Sequence, residues 1–227
     1  MEYNIKLILN PKLYLKDPEK SELGRNIIKY SIEIIDKIGY EQLTFKKLAK
    51  EINSTEASIY RYFENKHKLL IYVMDLYWGH ICFQVISGIK NIENPKEQIH
   101  KIVDLLIWVE HQELYLGDIN QKKIHNIAIA ESSKTYLSKE VDELNKDMLF
   151  KPYKDLCKVI EDVFTAYNPS YKYPKSLAST LIETSHFQYH FMQHLPNLCD
   201  FSATKDLSKL EEYLNDLIFG ALDYKRD

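Results

Sequence analysis

The stretch Phe45–Leu70, FKKLAKEINSTEASIYRYFENKHKLL, constrains the fold more than any other part of the chain. Leu48, Ala49 and Ile52 fall on one face of a 3.6-residue period, which predicts a helix over Phe45–Ile52. Asn53 stands where the chain must turn sharply, and Asn enters the left-handed region more readily than most non-glycine residues. Thr55 is a good N-cap for a second helix over Glu56–Phe63, whose Ile59 and Phe63 can pack on the first. Ala49 is small enough for the two helices to cross closely. Asn65 caps the next helix at once, so the pattern is a helix-turn-helix running straight into a long helix.

On the second helix Ala57, Ser58 and Arg61 remain on the outer side, flanked by Tyr60 and Tyr62. A helix seated in a DNA major groove needs such a face, because base edges are read by short polar side chains and by Arg. Tyrosine hydroxyls and Lys66 can reach phosphates, which fixes register rather than sequence. Glu56 can accept from a cytosine amino group, at the cost of lying near phosphates. A helical hairpin with a merely solvated polar face has the same spacing.

The run Thr44, Leu48-Ala49, Asn53, Thr55, Ala57, Ser58, Ile59, Tyr60, Arg61, Tyr62, Phe63, Lys66 resembles the tetracycline-repressor (TetR) family of bacterial transcription regulators. Asn53 stands where the family usually has Gly. The resemblance covers about residues 20–75. It implies an all-α fold: a three-helix DNA-binding domain, then a larger helical bundle that binds a small-molecule effector and forms a homodimer. The implied function is a ligand-responsive regulator, a dimeric repressor released from double-stranded operator DNA by the effector. Its DNA contacts would be Thr44, Lys46, Lys47, Thr55, Glu56, Ala57, Ser58, Tyr60, Arg61, Tyr62 and Lys66. The fourth helix would link the domains, so that movement in the second shifts the recognition helix.

Composition is compatible with this. At 227 residues the chain suits one small and one larger domain, and 6 Gly and 7 Pro argue against an all-β or disordered chain. The net charge of −3 excludes a generic polyanion binder, but Lys46, Lys47, Lys50, Arg61, Lys66 and Lys68 concentrate basic charge on the helix-turn-helix. Cys82, Cys157 and Cys199 are scattered without CxxC spacing, as expected of thiols in a reducing cytoplasm. No leader pattern opens the sequence and no apolar run looks long enough to span a bilayer, so a cytoplasmic location is expected. The expected division is an arm at 1–20, a DNA-binding domain at 21–66 and a ligand-binding and dimerisation domain at 67–227. The arm alternates Ile5, Leu7 and Leu9, then Leu13 and Leu15, around Asn10-Pro11, which suggests an extended segment or short hairpin; with Lys6, Lys12 and Lys16 it could reach a DNA groove, but its apolar residues favour packing on its own domain.

Three further patterns carry candidate chemistry. Projected from Ile102, Glu110 and Glu113 fall near the apolar stripe of the fifth helix, where a carboxylate needs a partner. One reading is an acidic wall for a cationic ligand, with Trp78, Trp108 and Tyr115 as aromatic surroundings; the other is a solvated helix end. Leu207, Leu210, Leu214, Leu217 and Ala221 recur at three- and four-residue steps in the last helix, a seam suited either to packing inside its own subunit or, as the resemblance implies, to a two-fold dimer through the last two helices, with Gly220 permitting close approach. Glu183, His186, His190 and His194 share one side of a helix, and Glu97-x-x-His100 repeats the motif, so a helical metalloprotein or enzyme is the competing reading. No GxSxG, glycine-rich phosphate loop or HExxH occurs, so neither an enzyme nor a cofactor is expected.

Overall fold

The computed structural model describes residues 7–107 and 119–224. These residues are predominantly helical: α1 Glu22–Ile38, α2 Phe45–Glu51, α3 Glu56–Tyr60, α4 Lys66–Ile89, α5 Pro95–Ile107, α6 Gln121–Glu131, α7 Ser133–Tyr136, α8 Val141–Lys146, α9 Lys151–Tyr167, α10 Pro174–His194 and α11 Leu207–Leu222. Trp108, Glu110, Glu113 and Tyr115 lie outside the described residues, as do Ile5 and Lys6 of the arm. The described residues group into two compact units, 7–80 with 119–152 and 81–107 with 153–224. This grouping differs from a linear division at residue 66, because α4 belongs to both units.

In the first unit α1–α3 form the helix-turn-helix core, with Ile27, Leu43, Leu48, Ile59, Phe63 and Leu69 completely buried. Ser21 caps α1 by accepting from the Gly24 N–H, and Gly39 ends it at φ 79°. A later segment straps this core. Lys123 of α6 pairs with Glu33 of α1, and Asn126 donates to Asp36 at 3.2 Å. Glu131 accepts from the Tyr40 N–H at 3.0 Å, while Lys134 bridges Glu131 and Glu41 at 2.6 and 3.2 Å. A buried hydrogen bond of 2.9 Å joins the Tyr77 hydroxyl to His125 Nδ1.

The described part of the arm, residues 7–20, forms neither a hairpin nor a continuous extended segment. Asn10-Pro11 and Asp17-Pro18 each open a short 3-10 turn, at Pro11–Leu13 and Pro18–Lys20, with the Asn and Asp side chains as caps. Leu9, Leu13 and Pro18 are buried, whereas Ile8 and Leu15 are exposed. Asn10 and Lys12 hold the arm to Asp147 at 2.7 Å each. A Cβ at Gly24 would come within 2.2 Å of the Pro18 carbonyl oxygen, so the second turn sits on bare backbone. Gly24→Ala is expected to destabilise the protein by about 1–3 kcal/mol, because backbone rather than a side chain has to move; chemical denaturation followed by circular dichroism measures it.

α4 corrects the expectation about membrane-length runs. Its best 18-residue window has a mean hydropathy of 1.5, long and apolar enough to cross a membrane, yet 83% of that window is buried inside the protein. A helix enclosed on all sides is apolar on all sides, and that accounts for the pattern. The enclosure also takes in polar groups. Asp75 and His80 in the first unit, and Gln84 in the second, are buried, and Asp75 Oδ2, His80 Nε2 and both Gln84 amide atoms have no hydrogen-bond partner among the described residues. Trp78 is also buried, edge-on to Tyr77 at 4.8 Å.

In the second unit α5, α10 and α11 pack together around Ile99, Ile102, Leu181, Leu210, Leu214, Ile218 and Leu222, all fully buried. The α11 seam expected to face a second copy is therefore filled from within at Leu210 and Leu214. A heptad pattern does not say whose helix it packs against. Leu207, Leu217 and Ala221 are half-buried, and a Cβ at Gly220 would meet none of the described residues within 4 Å. Pro152 stands in the first turn of α9 and restarts the helix after a left-handed Met148 (φ 59°). Glu183 accepts from the Tyr153 hydroxyl at 2.8 Å, His100 packs on Phe219 at 4.9 Å, and His190 lies 4.8 Å from His194. Among the described residues no three His, Cys, Asp or Glu side chains converge as a metal site requires.

Candidate nucleic-acid interface

The turn between α2 and α3 sets the geometry. Asn53 adopts φ 49°, the Ser54 N–H donates to the Ala49 carbonyl at 2.8 Å, and the Asn53 N–H donates to the Lys50 carbonyl at 3.3 Å. These two bonds make a Schellman motif, which ends α2 and redirects the chain within two residues. Thr44 caps α2 by accepting from the Lys47 N–H, and Thr55 caps α3 by accepting from the Ser58 N–H, each at 3.2 Å. Leu48, Ala49, Ile59 and Phe63 are buried between the helices; Ile52 is only half-buried.

α3 is shorter than the sequence pattern suggests. It stops at Tyr60, Arg61 forms its C-cap, and the Tyr62 N–H closes a turn onto the Ile59 carbonyl at 2.8 Å. Thr55, Glu56, Ala57 and Arg61 are exposed and Ser58 is half-buried. Their polar groups are linked: Thr55 Oγ1 lies 3.0 Å from Ser58 Oγ, which accepts from the Arg61 guanidinium at 3.2 Å. The half-exposed Tyr60 ring is fixed edge-on to Phe45 at 4.9 Å. Thr44, Lys46 and Lys47 are exposed at the start of α2, and the Lys47 ammonium donates to the Gln42 carbonyl at 2.8 Å. The face therefore offers short hydroxyls, one methyl, one oriented guanidinium and flanking cations, a set able to read base edges and hold phosphates.

Two residues expected on this face serve the fold instead. Tyr62 is 3% exposed, its hydroxyl lies 2.7 Å from Ser21 Oγ, and its carbonyl accepts from the Leu15 N–H at 2.8 Å. The Ser21 hydrogen bond, with Lys16 and Arg61 nearby, holds the phenol below its ordinary value. Lys66 donates to the Tyr40 and Glu41 carbonyls at 3.4 and 3.2 Å and lies over the Tyr40 ring at 4.6 Å. It closes the α1–α2 turn. The arm covers Tyr62, and no periodicity within residues 45–70 announces that. Lys16, one of the arm lysines that the sequence offers for reaching a DNA groove, has its ammonium 5.0 Å from the Tyr62 ring centroid.

Comparisons with known proteins point to the same stretch. Residues 27–73 match the family model described as bacterial regulatory proteins, tetR family. Over 123 residues the chain is 27% identical to the fatty acid metabolism regulator protein of Bacillus subtilis (strain 168), a match covering 54% of this chain and 60% of that relative. Among solved structures it is similar to the fatty acid degradation regulator FadR from Bacillus halodurans, with 17% identity, 92% of this chain and 99% of that one covered, and a TM-score of 0.63. It is also similar to AibR in complex with isovaleryl coenzyme A and operator DNA, with 17% identity, 87% and 98% coverage and a TM-score of 0.59. The capped turn at Asn53, the polar face of α3 and the match to the family model of bacterial regulatory proteins, tetR family, fall on one segment of a chain whose described residues are predominantly helical and whose fold is that of these regulators.

Proposed function

We propose that the protein is a ligand-responsive, DNA-binding transcriptional regulator that acts in the cytoplasm as a dimeric repressor. The observation that carries this reading is the Thr55–Ser58–Arg61 hydroxyl and guanidinium chain, exposed at Thr55 and Arg61, on a helix held by the Asn53 turn. A single helix-turn-helix covers one half-site, so selective binding calls for two copies with recognition helices about 34–36 Å apart. The effector class favoured by the likeness to AibR and to a fatty acid metabolism regulator is an acyl-coenzyme A thioester. The free-energy coupling needed between effector and operator is about 1–3 kcal/mol, and α4, common to both units, is the element to carry it.

The face favoured for dimerisation is the outer side of α10 rather than the filled seam of α11. Phe187 is 48% exposed and stacks with Phe191 at 6.2 Å, and Leu195 and Leu198 continue the apolar surface beyond the helix. Phe187, Phe191 and Leu195 recur at four-residue steps, one side of a helix. Phe187→Asp is expected to raise the dimer dissociation constant by about 30-fold or more, as loss of an aromatic anchor does; sedimentation at micromolar concentration reads it. An unchanged dimer would move the interface elsewhere.

The test of function is selection of genomic fragments on the purified protein, followed by fluorescence anisotropy with the enriched sequence and a scrambled control. Isovaleryl-coenzyme A and a long-chain acyl-coenzyme A are then added to the complex. Selective binding with release by a thioester supports the reading in full; selective binding without release removes only the effector class. Failure to enrich any sequence removes the regulator reading.

A further inference from the structure

We propose that Lys16, on the arm that precedes α1, is a phosphate-contact residue that extends the DNA-binding surface beyond the helix-turn-helix. The inference rests on the DNA-binding reading above and adds a contact that the helix-turn-helix motif does not contain.

The arm is fixed next to the recognition segment. The Leu15 N–H donates to the Tyr62 carbonyl, and Tyr62 follows the Arg61 cap of α3 directly. On either side of Lys16 the backbone is anchored, by buried Leu13 before it and by buried Pro18 on Gly24 after it. Lys16 itself is exposed, and its ammonium lies above the Tyr62 ring. That contact orients the cation without neutralising it.

The nearby carboxylates are engaged elsewhere. Asp17 Oδ1 accepts from the Glu19 N–H at 3.0 Å, and its Oδ2 lies 3.5 Å from the Lys20 ammonium. Glu19 Oε1 accepts from the Tyr72 hydroxyl at 3.5 Å. Among the described residues Lys16 makes no ion pair, whereas Lys12, four residues earlier, is paired with Asp147. An oriented, unneutralised cation continuous with Arg61 and the α3 face is placed to meet the phosphate backbone flanking the bases that α3 would read. Tyr62 supplies the platform for the cation rather than a hydroxyl for the phosphate.

Phosphate contacts have a signature distinct from base contacts. Each one releases counterions, so its loss flattens the dependence of log affinity on log salt by about 0.9, and it weakens all sequences alike. For two subunits the slope becomes shallower by about 1.8, which between 1 M and 0.1 M salt corresponds to about 60-fold in affinity. The experiment compares the full-length wild type with Lys16→Met, which keeps the stem over Tyr62 but not the charge, with Lys16→Arg, and with Lys209→Met on α11 as a charge control. Anisotropy is recorded on selected and scrambled DNA across a salt series.

The expected result is a flattened slope and parallel weakening on both DNAs in Lys16→Met, with the wild-type slope retained in Lys16→Arg and Lys209→Met. Selective wild-type binding with an unchanged slope in Lys16→Met would overturn the inference and leave the regulator reading standing. An equal change in Lys209→Met would overturn it as a general charge effect. A wild type that selects no sequence would remove both.

Discussion

Arg61→Ala is expected to weaken binding of the selected operator by at least about 10-fold while leaving binding of scrambled DNA nearly unchanged. A bidentate arginine–base contact discriminates by about 1–3 kcal/mol, or roughly 5- to 150-fold per site. Arg61 is suited to that contact because it is exposed and its guanidinium is braced at 3.2 Å by Ser58, which is itself 3.0 Å from the Thr55 cap. Such bracing lowers the ordering cost on binding. Arg61→Lys is expected to restore little, since an ammonium cannot reproduce the planar fork. Tyr62→Phe provides the contrast: its partly buried hydroxyl meets Ser21, so the change is expected to cost about 1 kcal/mol of stability and no operator selectivity. Anisotropy on both DNAs measures each variant. An Arg61→Ala protein with wild-type affinity and selectivity would show that α3 does not read bases through this side chain.

The helix-turn-helix was legible in the sequence because its determinants are local. The caps Thr44 and Thr55, the left-handed Asn53 and the buried set Leu48, Ala49, Ile59 and Phe63 all lie within twenty residues of one another. What was not legible depends on distant segments. The arm that covers Tyr62 lies more than forty positions earlier, and the α6 strap onto α1 lies ninety positions later at Asn126–Asp36. Periodicity assigns a face to a residue but not the partner of that face. For the same reason the α11 leucines read as a dimer seam although the unit buries Leu210 and Leu214 itself, and Trp78 read as a ligand aromatic although it packs against Tyr77. The phenylalanines of α10 escaped notice because His190, His194 and Gln188 interleave with them, so the stripe looks mixed in one dimension. On the candidate interface, residue types were readable, whereas the hydrogen bonds that tie Lys66 to backbone carbonyls were not.

Between pH 6.5 and 8 the stability of the protein is expected to fall as pH rises, by about 1.4 kcal/mol per unit, and Asp75→Asn is expected to abolish that component. Burial on α4 pushes the Asp75 carboxyl up from 3.8 to about 8, so the folded state keeps a proton that the unfolded state releases near pH 4. Between those values the folded state binds the extra proton, and each rise in pH therefore favours unfolding. His80 works in the opposite sense. Burial lowers it from 6.5 to about 4, so between pH 4 and 6.5 the unfolded state binds the extra proton and rising pH favours folding. Below pH 6.5 the two slopes offset each other; above it only Asp75 titrates. The total effect over 6.5 to 8 is about 2 kcal/mol. Asp75→Asn should therefore differ from the wild type in two windows: it loses the fall above pH 6.5, and below it stability climbs with pH because His80 acts alone. His80→Gln should show the mirror image, a decline beginning near pH 4. Urea denaturation at half-unit pH intervals gives the differences directly, and subtraction of the wild-type curve removes the contribution of the other histidines. A difference curve for Asp75→Asn that is flat from pH 4 to 8 would mean that Asp75 is ionised in the folded state and finds a partner there.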